Sequence, residues 1–196
     1  MSYTRRDIYY FDRPGPENTR DAARVAVERA KALGIRQIVV ASTGGSTALA
    51  FLDAAKGTGI GLVVVTHVVG FSQPGVWEFS QEAAETLRAA GAKVVTGTHA
   101  LSGLERALSR AQRVGGGSRT EAIAEALRRT VAVGLKVAVE CCLIAADQGA
   151  IPVDGEVVAA GGTMSGADTV CVIRPAHTAS FFDLQVRELV AMPRNR

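Results

Sequence analysis

Short valine-rich segments alternate with helical segments from residue 8 to residue 96, and this alternation most constrains the fold. The runs Gln37–Ala41, Gly61–Thr66 and Lys93–Thr96 are predicted to be strands, and residues 62–65 are expected to be buried on both faces of the sheet. The segments between them have the length and the apolar spacing of helices. Strands and helices in this order form βαβ units. We therefore predict an α/β fold in three layers, with a mostly parallel sheet flanked by helices.

Turn and cap residues give the boundaries of the other early elements. A first strand is predicted over residues 8–11, before a proline- and glycine-rich turn. Asn18 or Thr19 then caps a helix that ends at Leu33, because Gly34 occupies the position where a C′ glycine belongs. Further helices are predicted after the 42–47 loop to about residue 55, and over residues 80–90.

The pattern changes after residue 100. Residues 101–112 are predicted to be helical, and Gly115, Gly116 and Gly117 interrupt the chain. Ser118 and Glu121 have the spacing of a capping box at the start of the next helix. Gly134 is expected to separate that helix from another over residues 136–148, which is apolar almost all round and should therefore be central.

The last third of the chain predicts strands again. Residues 156–160 and Thr169–Arg174 are joined by a glycine-rich loop that allows an antiparallel pair near the C-terminal edge of the sheet. Residues 181–192 are expected to form a short turn and then an edge strand.

Composition excludes several classes of protein. The 196 residues favour a single domain over residues 1–196, and 47% hydrophobic against 21% charged residues excludes disorder. A net charge of +3 without a basic block argues against nucleic acid as a partner. No run approaches the roughly 20 apolar residues of a membrane span, and no signal peptide is visible. Cys141, Cys142 and Cys171 fit reduced core thiols rather than a metal site, so we expect a cytoplasmic protein without a metal.

The strongest local motif is the 42–47 loop, which follows a strand and opens a helix. Its glycines let the backbone approach a ligand, and the first amides of a helix are free to bind an anion. One interpretation is a phosphate cradle, and the other is an ordinary capped turn. The candidate ligand-binding residues are Ser42, Thr43, Gly44, Gly45, Ser46 and Thr47.

His67 and His99 each follow a predicted parallel strand, at the edge where open α/β sheets bind ligands. They are either ligand neighbours facing the 42–47 loop or two solvent-exposed loop histidines. The spacing places no acid beside either one, so a catalytic triad is not supported.

Three other groups of polar residues are weaker candidates. The segment 115–119 is either a second anion site or, as we favour, a hinge. A helical face is expected to carry Lys136, Glu140 and Asp147 as a solvated stripe. Arg174 and His177 end a strand, where they either reach a ligand or terminate the strand pairing.

Several strings resemble a known family. Residues 21–48 resemble the start of the pyruvate kinase C-terminal domain, including its Thr-Gly-x-Ser loop, and residues 136–174 resemble its end. Over the full length the chain is similar to stand-alone archaeal and bacterial proteins of this type. The shared strings include Ser102-Gly103-Leu104-Glu105-Arg106 and Arg174-Pro175-Ala176-His177. The catalytic barrel of the kinase has no counterpart here, so kinase activity is not expected.

The resemblance adds a ligand class. In the kinases the Thr-Gly-x-Ser loop, matched here by Thr43 to Ser46, holds one phosphate of an allosteric sugar bisphosphate. The second phosphate is held there by a Trp and an Arg in the last glycine-rich loop. This sequence has Thr163 and Met164 in that loop, which favours a monophosphate. The stand-alone proteins have been associated with flavin mononucleotide (FMN), whose ring would suit Phe71 or Trp77.

These observations lead to one main hypothesis and two rivals. The main hypothesis is a binding or regulatory module for a phosphorylated small molecule, with FMN as a candidate cofactor. The first rival is an enzyme, either a flavin oxidoreductase or a lyase or isomerase of a phosphorylated substrate, that uses His67, His99 or His177. The second is a structural subunit with an empty crevice. A homo-oligomer is compatible with each.

Overall fold

The computed structural model describes residues 3–111, 113 and 116–195. Its strands are β1 Tyr9–Phe11, β2 Gln37–Ala41, β3 Gly61–Thr66, β4 Lys93–Thr96, β5 Val157–Gly161, β6 Thr169–Arg174 and β7 Gln185–Pro193. They form one sheet in the order β1-β7-β6-β5-β2-β3-β4. β6 is antiparallel to both of its neighbours, and the other pairs are parallel. The prediction of a mostly parallel sheet with an antiparallel strand near the C-terminal edge is confirmed.

Helices cover both faces of the sheet. They are α1 Thr19–Leu33, α2 Ser46–Ala55, α3 Gln81–Ala89, α4 Gly103–Arg110, α5 Arg119–Thr130 and α6 Val133–Asp147, with short 3₁₀ segments at Pro16–Asn18 and Thr178–Asp183. Successive strand residues point to opposite faces. Ile38 and Val40 accordingly pack in the core under α1, α2 and α3, whereas Val39 packs in the core under α6. The predicted three layers follow from this alternation.

Local sequence signals set several boundaries as predicted. Gly34 ends α1 in the left-handed region, at φ 67°, and its amide donates to the carbonyls of Ala30 and Lys31. α3 begins at Gln81, one residue later than predicted, because the Ser80 hydroxyl caps it by accepting the amide of Ala83 at 3.2 Å. The predicted bounds of β2, β3, β4 and β6 are those observed.

The C-terminal strand is not at the edge, and this expectation was wrong. β7 lies between β1 and β6, with Tyr9 opposite Ala191 in the parallel register. The edge strand is instead β1, which has three residues. Local patterns identify strands but do not say which strands pair, so the neighbour of β7 at the far end of the chain could not be predicted.

Gly134 does not separate two helices, which is a second correction. It lies inside α6, which already begins at Val133. A Cβ atom at this position would overlap the side chain of Thr169 and lie 2.8 Å from Oδ1 of Asp168. The glycine is therefore needed because the first turn of α6 lies directly against the start of β6.

The segment between β4 and α6 is helical, but its first helix is shorter than predicted. α4 begins at Gly103 rather than at residue 101, and the predicted end at residue 112 lies outside the described residues. Gly115 of the expected hinge also lies outside them, whereas Gly116 and Gly117 precede α5 without regular structure.

Half of the expected capping box is formed at the start of α5. The Ser118 hydroxyl accepts the amide of Glu121 at 3.0 Å. The Glu121 carboxylate turns away and accepts from Nε of Arg106 on α4 at 2.7 Å. A partner from another helix has therefore replaced the local one.

Candidate functional site

A cavity of about 480 Å³ opens at the edge of the sheet where β2 and β3 end. We call it the edge cavity. It lies between the start of α2 and the first turns of α6, and α4, α5 and the loop after β5 complete its wall. The predicted site residues that line it are Ser42, Thr43, Gly44, Ser46, Thr47, His67 and His99.

The start of α2 has amides of two kinds. The buried Ser42 hydroxyl accepts the amides of Gly45 at 3.2 Å and Ala48 at 3.3 Å, so the protein itself satisfies these two. Within the described part of the chain, the amides of Gly44, Ser46 and Thr47 have no hydrogen-bond partner. Ser42 therefore holds the turn, and the remaining amides are free to bind an anion.

The two glycines of the loop have different surroundings. Gly45 is buried at φ 112°, and a Cβ there would overlap that of Ala83, so this glycine serves the packing of the loop on α3. It does not line the cavity, unlike the other residues of the 42–47 loop. Gly44 does line it, and a Cβ on Gly44 would meet nothing within 4 Å. The space beside the backbone of the loop therefore lies at Gly44.

His67 has a carboxylate partner that its sequence position did not reveal. Its Nδ1 lies 2.8 Å from Oε2 of Glu78, at the far end of the loop that follows β3. Ser72 donates to the other oxygen of Glu78. These hydrogen bonds, first from Ser72 and then from His67, lower the pKa of Glu78. Glu78 is thereby kept ionised and fixes the orientation of the imidazole.

His99 is the more buried histidine, and one of its nitrogens has no partner. Nδ1 lies 3.8 Å from Oε2 of Glu140, whereas Nε2 is buried without a hydrogen bond to any described residue. Burial lowers the pKa of His99, opposed by the charge of Glu140 and assisted by His67, Lys136 and Arg106. The neutral imidazole is favoured, so it can accept or donate a proton.

Lys136 and Glu140 do not form the solvated stripe expected from the sequence. Both are buried, at 3% and 5% exposure, and Nζ of Lys136 donates to Oε2 of Glu140. The other oxygen of Glu140 accepts the amide of Leu101 at 2.8 Å. The first turns of α6 pack under the edge cavity, so these two residues face the cavity instead of solvent.

Asp147, the third member of the expected stripe, lies at the opposite end of α6. It binds His177 at 3.3 Å and the amide of Thr178 at 3.0 Å. Because β6 is antiparallel, Arg174 and His177 at its end lie at the other edge of the sheet, in a smaller pocket. They do not line the edge cavity.

Aromatic rings lie at the edge cavity beside the histidines. The Phe71 ring centroid is 3.9 Å from that of His67 and 5.0 Å from that of His99, nearly parallel to the latter. Trp77, the other expected contributor, instead stacks on Phe79 at 5.5 Å and does not line the cavity.

The cysteines are packing residues, as predicted. All three are buried and free. Burial raises the pKa of the thiols of Cys141 and Cys171 to about 12, and that of Cys142 also rises. Although Cys141 touches the edge cavity, its thiol stays protonated and is a poor nucleophile.

Comparison with known families gives the family of this chain. The sequence matches the family described as pyruvate kinase, alpha/beta domain, over residues 20–173. The chain belongs to the pyruvate kinase alpha/beta domain family. The matched range contains β2 to β5, β6 except its last residue, and every lining residue of the edge cavity. The two strands outside the match, β1 and β7, pair with each other, so segments from beyond both ends of the match form that edge of the sheet.

This family member has further lining residues that sequence reasoning missed. Lys136 and Glu140 had one signal: a polar pair four residues apart in a helix that is apolar all round. Arg106 and Arg128 line the cavity from α4 and α5 without any pattern that pointed there. The described residues contain no group of three or more His, Cys, Asp or Glu side chains suited to a metal, and none of their helices is long and apolar enough to cross a membrane.

Proposed function

We propose that this member of the pyruvate kinase alpha/beta domain family binds a phosphorylated small molecule in the edge cavity. The observation that carries the proposal is that one cavity is lined by a buried ammonium group and by amides that have no hydrogen-bond partner among the described residues. The amides belong to Gly44, Ser46 and Thr47, and the ammonium group to Lys136. The phosphate would accept from the amides.

The electrostatics of the edge cavity support an anionic ligand. Arg106, Arg128 and Lys136 line it, each paired with a glutamate, and of these three glutamates only Glu140 is a lining residue. The N-terminus of α2 adds the positive end of a helix dipole, which favours an anion by about 0.3–1 kcal/mol or more when partly buried. Amides and cations together bind a phosphate more strongly than either does alone.

FMN is a candidate within this class. Its phosphate would occupy the amides at the start of α2, and its planar ring would contact the rings of Phe71, His67 and His99, which lie 3.9–5.4 Å apart at the same cavity. A bound flavin would supply electron and hydride transfer. The chain's own part would be to bind the phosphate and to orient the ring.

A titration of the purified protein tests the proposal. Inorganic phosphate, glycerol phosphate and FMN are each added while the melting temperature is measured, with glycerol as the uncharged control. A ligand at 100 times its Kd stabilises the fold by about 2.7 kcal/mol, so binding should raise Tm clearly. Glycerol should have no effect. An unchanged Tm with all three phosphates at concentrations of tens of millimolar contradicts the proposal.

A second candidate function is enzymatic, and His99 is the observation that favours it. His99 lines the edge cavity together with Glu140 and Lys136, its Nδ1 lies 3.8 Å from Oε2 of Glu140, and its buried Nε2 has no hydrogen-bond partner among the described residues. A neutral imidazole placed beside a phosphorylated ligand can move a proton, as a lyase or isomerase requires. His67, held by Glu78, could supply a second proton-transfer group, and a flavin oxidoreductase is the version that FMN would imply.

Substitution separates this second function from binding alone. His99→Gln should abolish any turnover of a phosphorylated substrate while glycerol phosphate still binds. His177→Gln at the opposite edge of the sheet is the matched control and should leave turnover unchanged. Turnover that survives in His99→Gln rules out His99 as the proton-transfer group.

A further inference from the structure

Two arginines from the segment between β4 and α6 line the edge cavity. Arg106 lies on α4 and Arg128 on α5, and their side chains are 31% and 28% exposed. Each is held by a glutamate that is not among the lining residues: Glu121 for Arg106 and Glu125 for Arg128, both at 2.7 Å. The glutamates therefore fix the guanidinium groups without occupying the cavity.

Both guanidinium groups keep donors for a ligand. Arg106 uses Nε for Glu121, so both of its terminal nitrogens are without a partner among the described residues. Arg128 uses Nη1 for Glu125, which leaves Nε and Nη2. A guanidinium group presents paired N–H donors that match two oxygens of a carboxylate or a phosphate. The two arginines thus offer unused donors beside the same cavity.

These arginines lie across the sheet edge from the start of α2. α2 packs in the core on one face of the sheet, and α5 and α6 pack in the core on the other. The glycine-rich loop after β5 carries no cation: it contains Thr163, whose amide donates to Asp168, and Met164, which is 99% exposed. An anionic group distant from α2 would therefore meet Arg106 and Arg128 rather than that loop.

We propose that the edge cavity takes a small phosphate ester with a second anionic group, a carboxylate or another phosphate, and that Arg106 and Arg128 bind this second group. The inference rests on the proposed function, because it assigns the phosphate itself to the start of α2. It also gives the α4–α5 segment a role as the part of the chain that selects the ligand.

A matched pair of ligands tests the inference. Glycerol phosphate and phosphoglycerate differ in that the latter has a carboxylate where the former has a hydroxymethyl group. Calorimetry should show that phosphoglycerate binds at least about tenfold more tightly, since hydrogen bonds to charged groups contribute about 1.5–3 kcal/mol each. Propanediol bisphosphate is the third ligand, and its affinity relative to phosphoglycerate shows whether the second group is a phosphate or a carboxylate.

Variants assign the preference to the arginines. Arg106→Gln and Arg128→Gln should each reduce the preference for phosphoglycerate over glycerol phosphate by about fivefold or more, while glycerol phosphate binds as before. Arg110→Gln is the matched control, because Arg110 lies on α4, is exposed and does not line the cavity. It should keep the full preference.

The possible failures are distinguishable. If glycerol phosphate binds and neither a second carboxylate nor a second phosphate improves affinity in the wild-type protein, the inference is overturned and the proposed function stands. This comparison needs no variant, so unfolding of Arg106→Gln would not obscure it. If no phosphate ester binds, the proposed function fails and the inference fails with it. A preference that persists in both arginine variants also overturns the assignment.

Discussion

Lys136 and Glu140 form a buried ion pair, on which the stability of the fold should depend. Removing one member of such a pair leaves the other charge buried without compensation, which destabilises a protein by about 3–5 kcal/mol. We expect Lys136→Met to lower the free energy of unfolding by about this amount, because Glu140 stays buried and still accepts the amide of Leu101. Urea unfolding followed by circular dichroism measures the change.

An exposed ion pair of the same spacing is the control for that measurement. Arg24 and Glu28 are also four residues apart, but both are more than half exposed. Arg24→Gln should leave the free energy of unfolding nearly unchanged, because solvent screens an exposed ion pair. The double variant with Lys136→Met and Glu140→Gln should be more stable than the sum of the single variants implies. Equal small losses for Arg24→Gln and Lys136→Met would contradict the burial of the pair.

His99 should make stability depend on pH in a defined window. Its folded pKa is lowered mainly by burial; Glu140 opposes this shift, and His67, Lys136 and Arg106 add to it. The unfolded chain therefore takes up a proton more readily than the folded one. The stabilisation is complete above the ordinary histidine pKa of about 6.5 and is lost as pH falls towards the lower folded value.

The variant His99→Gln tests this window. Between about pH 6.5 and pH 5 its free energy of unfolding should fall less steeply than that of the wild-type protein. The carboxylates of Glu78 and Glu121, whose pKa values are lowered, titrate below this window. Identical slopes for the two proteins in this window would show that His99 titrates normally.

The position of a residue could be predicted where the residue follows the end of a strand. Its side-chain partner could not be predicted where that partner comes from another element. His67 and His99 follow β3 and β4, so their common edge could be inferred from the order of the elements. Glu78 and Glu140, which lie beside them, come from a loop and a helix whose folding brings them back. No spacing pattern in the sequence indicates that these two glutamates lie beside the two histidines.

At the scale of the elements, the contact between α6 and β6 depends on a missing side chain. Alanine normally stabilises a helix interior relative to glycine by about 0.5–1 kcal/mol. Gly134→Ala should do the opposite, because the added Cβ would overlap the side chain of Thr169. A cost of about 1–3 kcal/mol is expected from overpacking and is measured by chemical unfolding.

Gly155→Ala is the matched control for this prediction. A Cβ at Gly155 meets nothing within 4 Å, and its backbone is not in the left-handed region. This variant should be as stable as the wild-type protein or slightly more stable. If Gly134→Ala were equally stable, α6 would not approach β6 as closely as described.

Elements were predictable from local chemistry, but their pairing was not. The Ser118 cap could be inferred because a cap acts within three residues of its own helix. The place of β7 between β1 and β6 depends on contacts between the two ends of the chain. Patterns of apolar residues carry no information on such distant partners.

At the scale of the whole molecule, the α/β class and the sheet edge that carries the cavity both followed from the sequence. The order of strands and helices over residues 8–96 required a largely parallel sheet, and parallel strands bring their carboxyl ends to one edge. The charged residues that line the cavity could not be predicted from the sequence. Lys136, Arg106 and Arg128 come from three helices that meet only in the folded chain.

Phosphate binding as proposed depends most on the amides at the start of α2, and Gly44 allows a direct test. A Cβ there has open space, and an aspartate beside a helix N-terminus is favourable to the fold. Its carboxylate would occupy the place proposed for the phosphate. Gly44→Asn has the same shape without the charge and is the control.

The decisive measurement is calorimetric titration of glycerol phosphate into the wild-type protein, Gly44→Asp and Gly44→Asn. We expect Gly44→Asp to stay folded and to lose affinity by at least about tenfold, because two negative charges would share one site. Gly44→Asn should bind far more tightly than Gly44→Asp. Equal affinity for the aspartate and asparagine variants would mean that the phosphate does not lie at the start of α2.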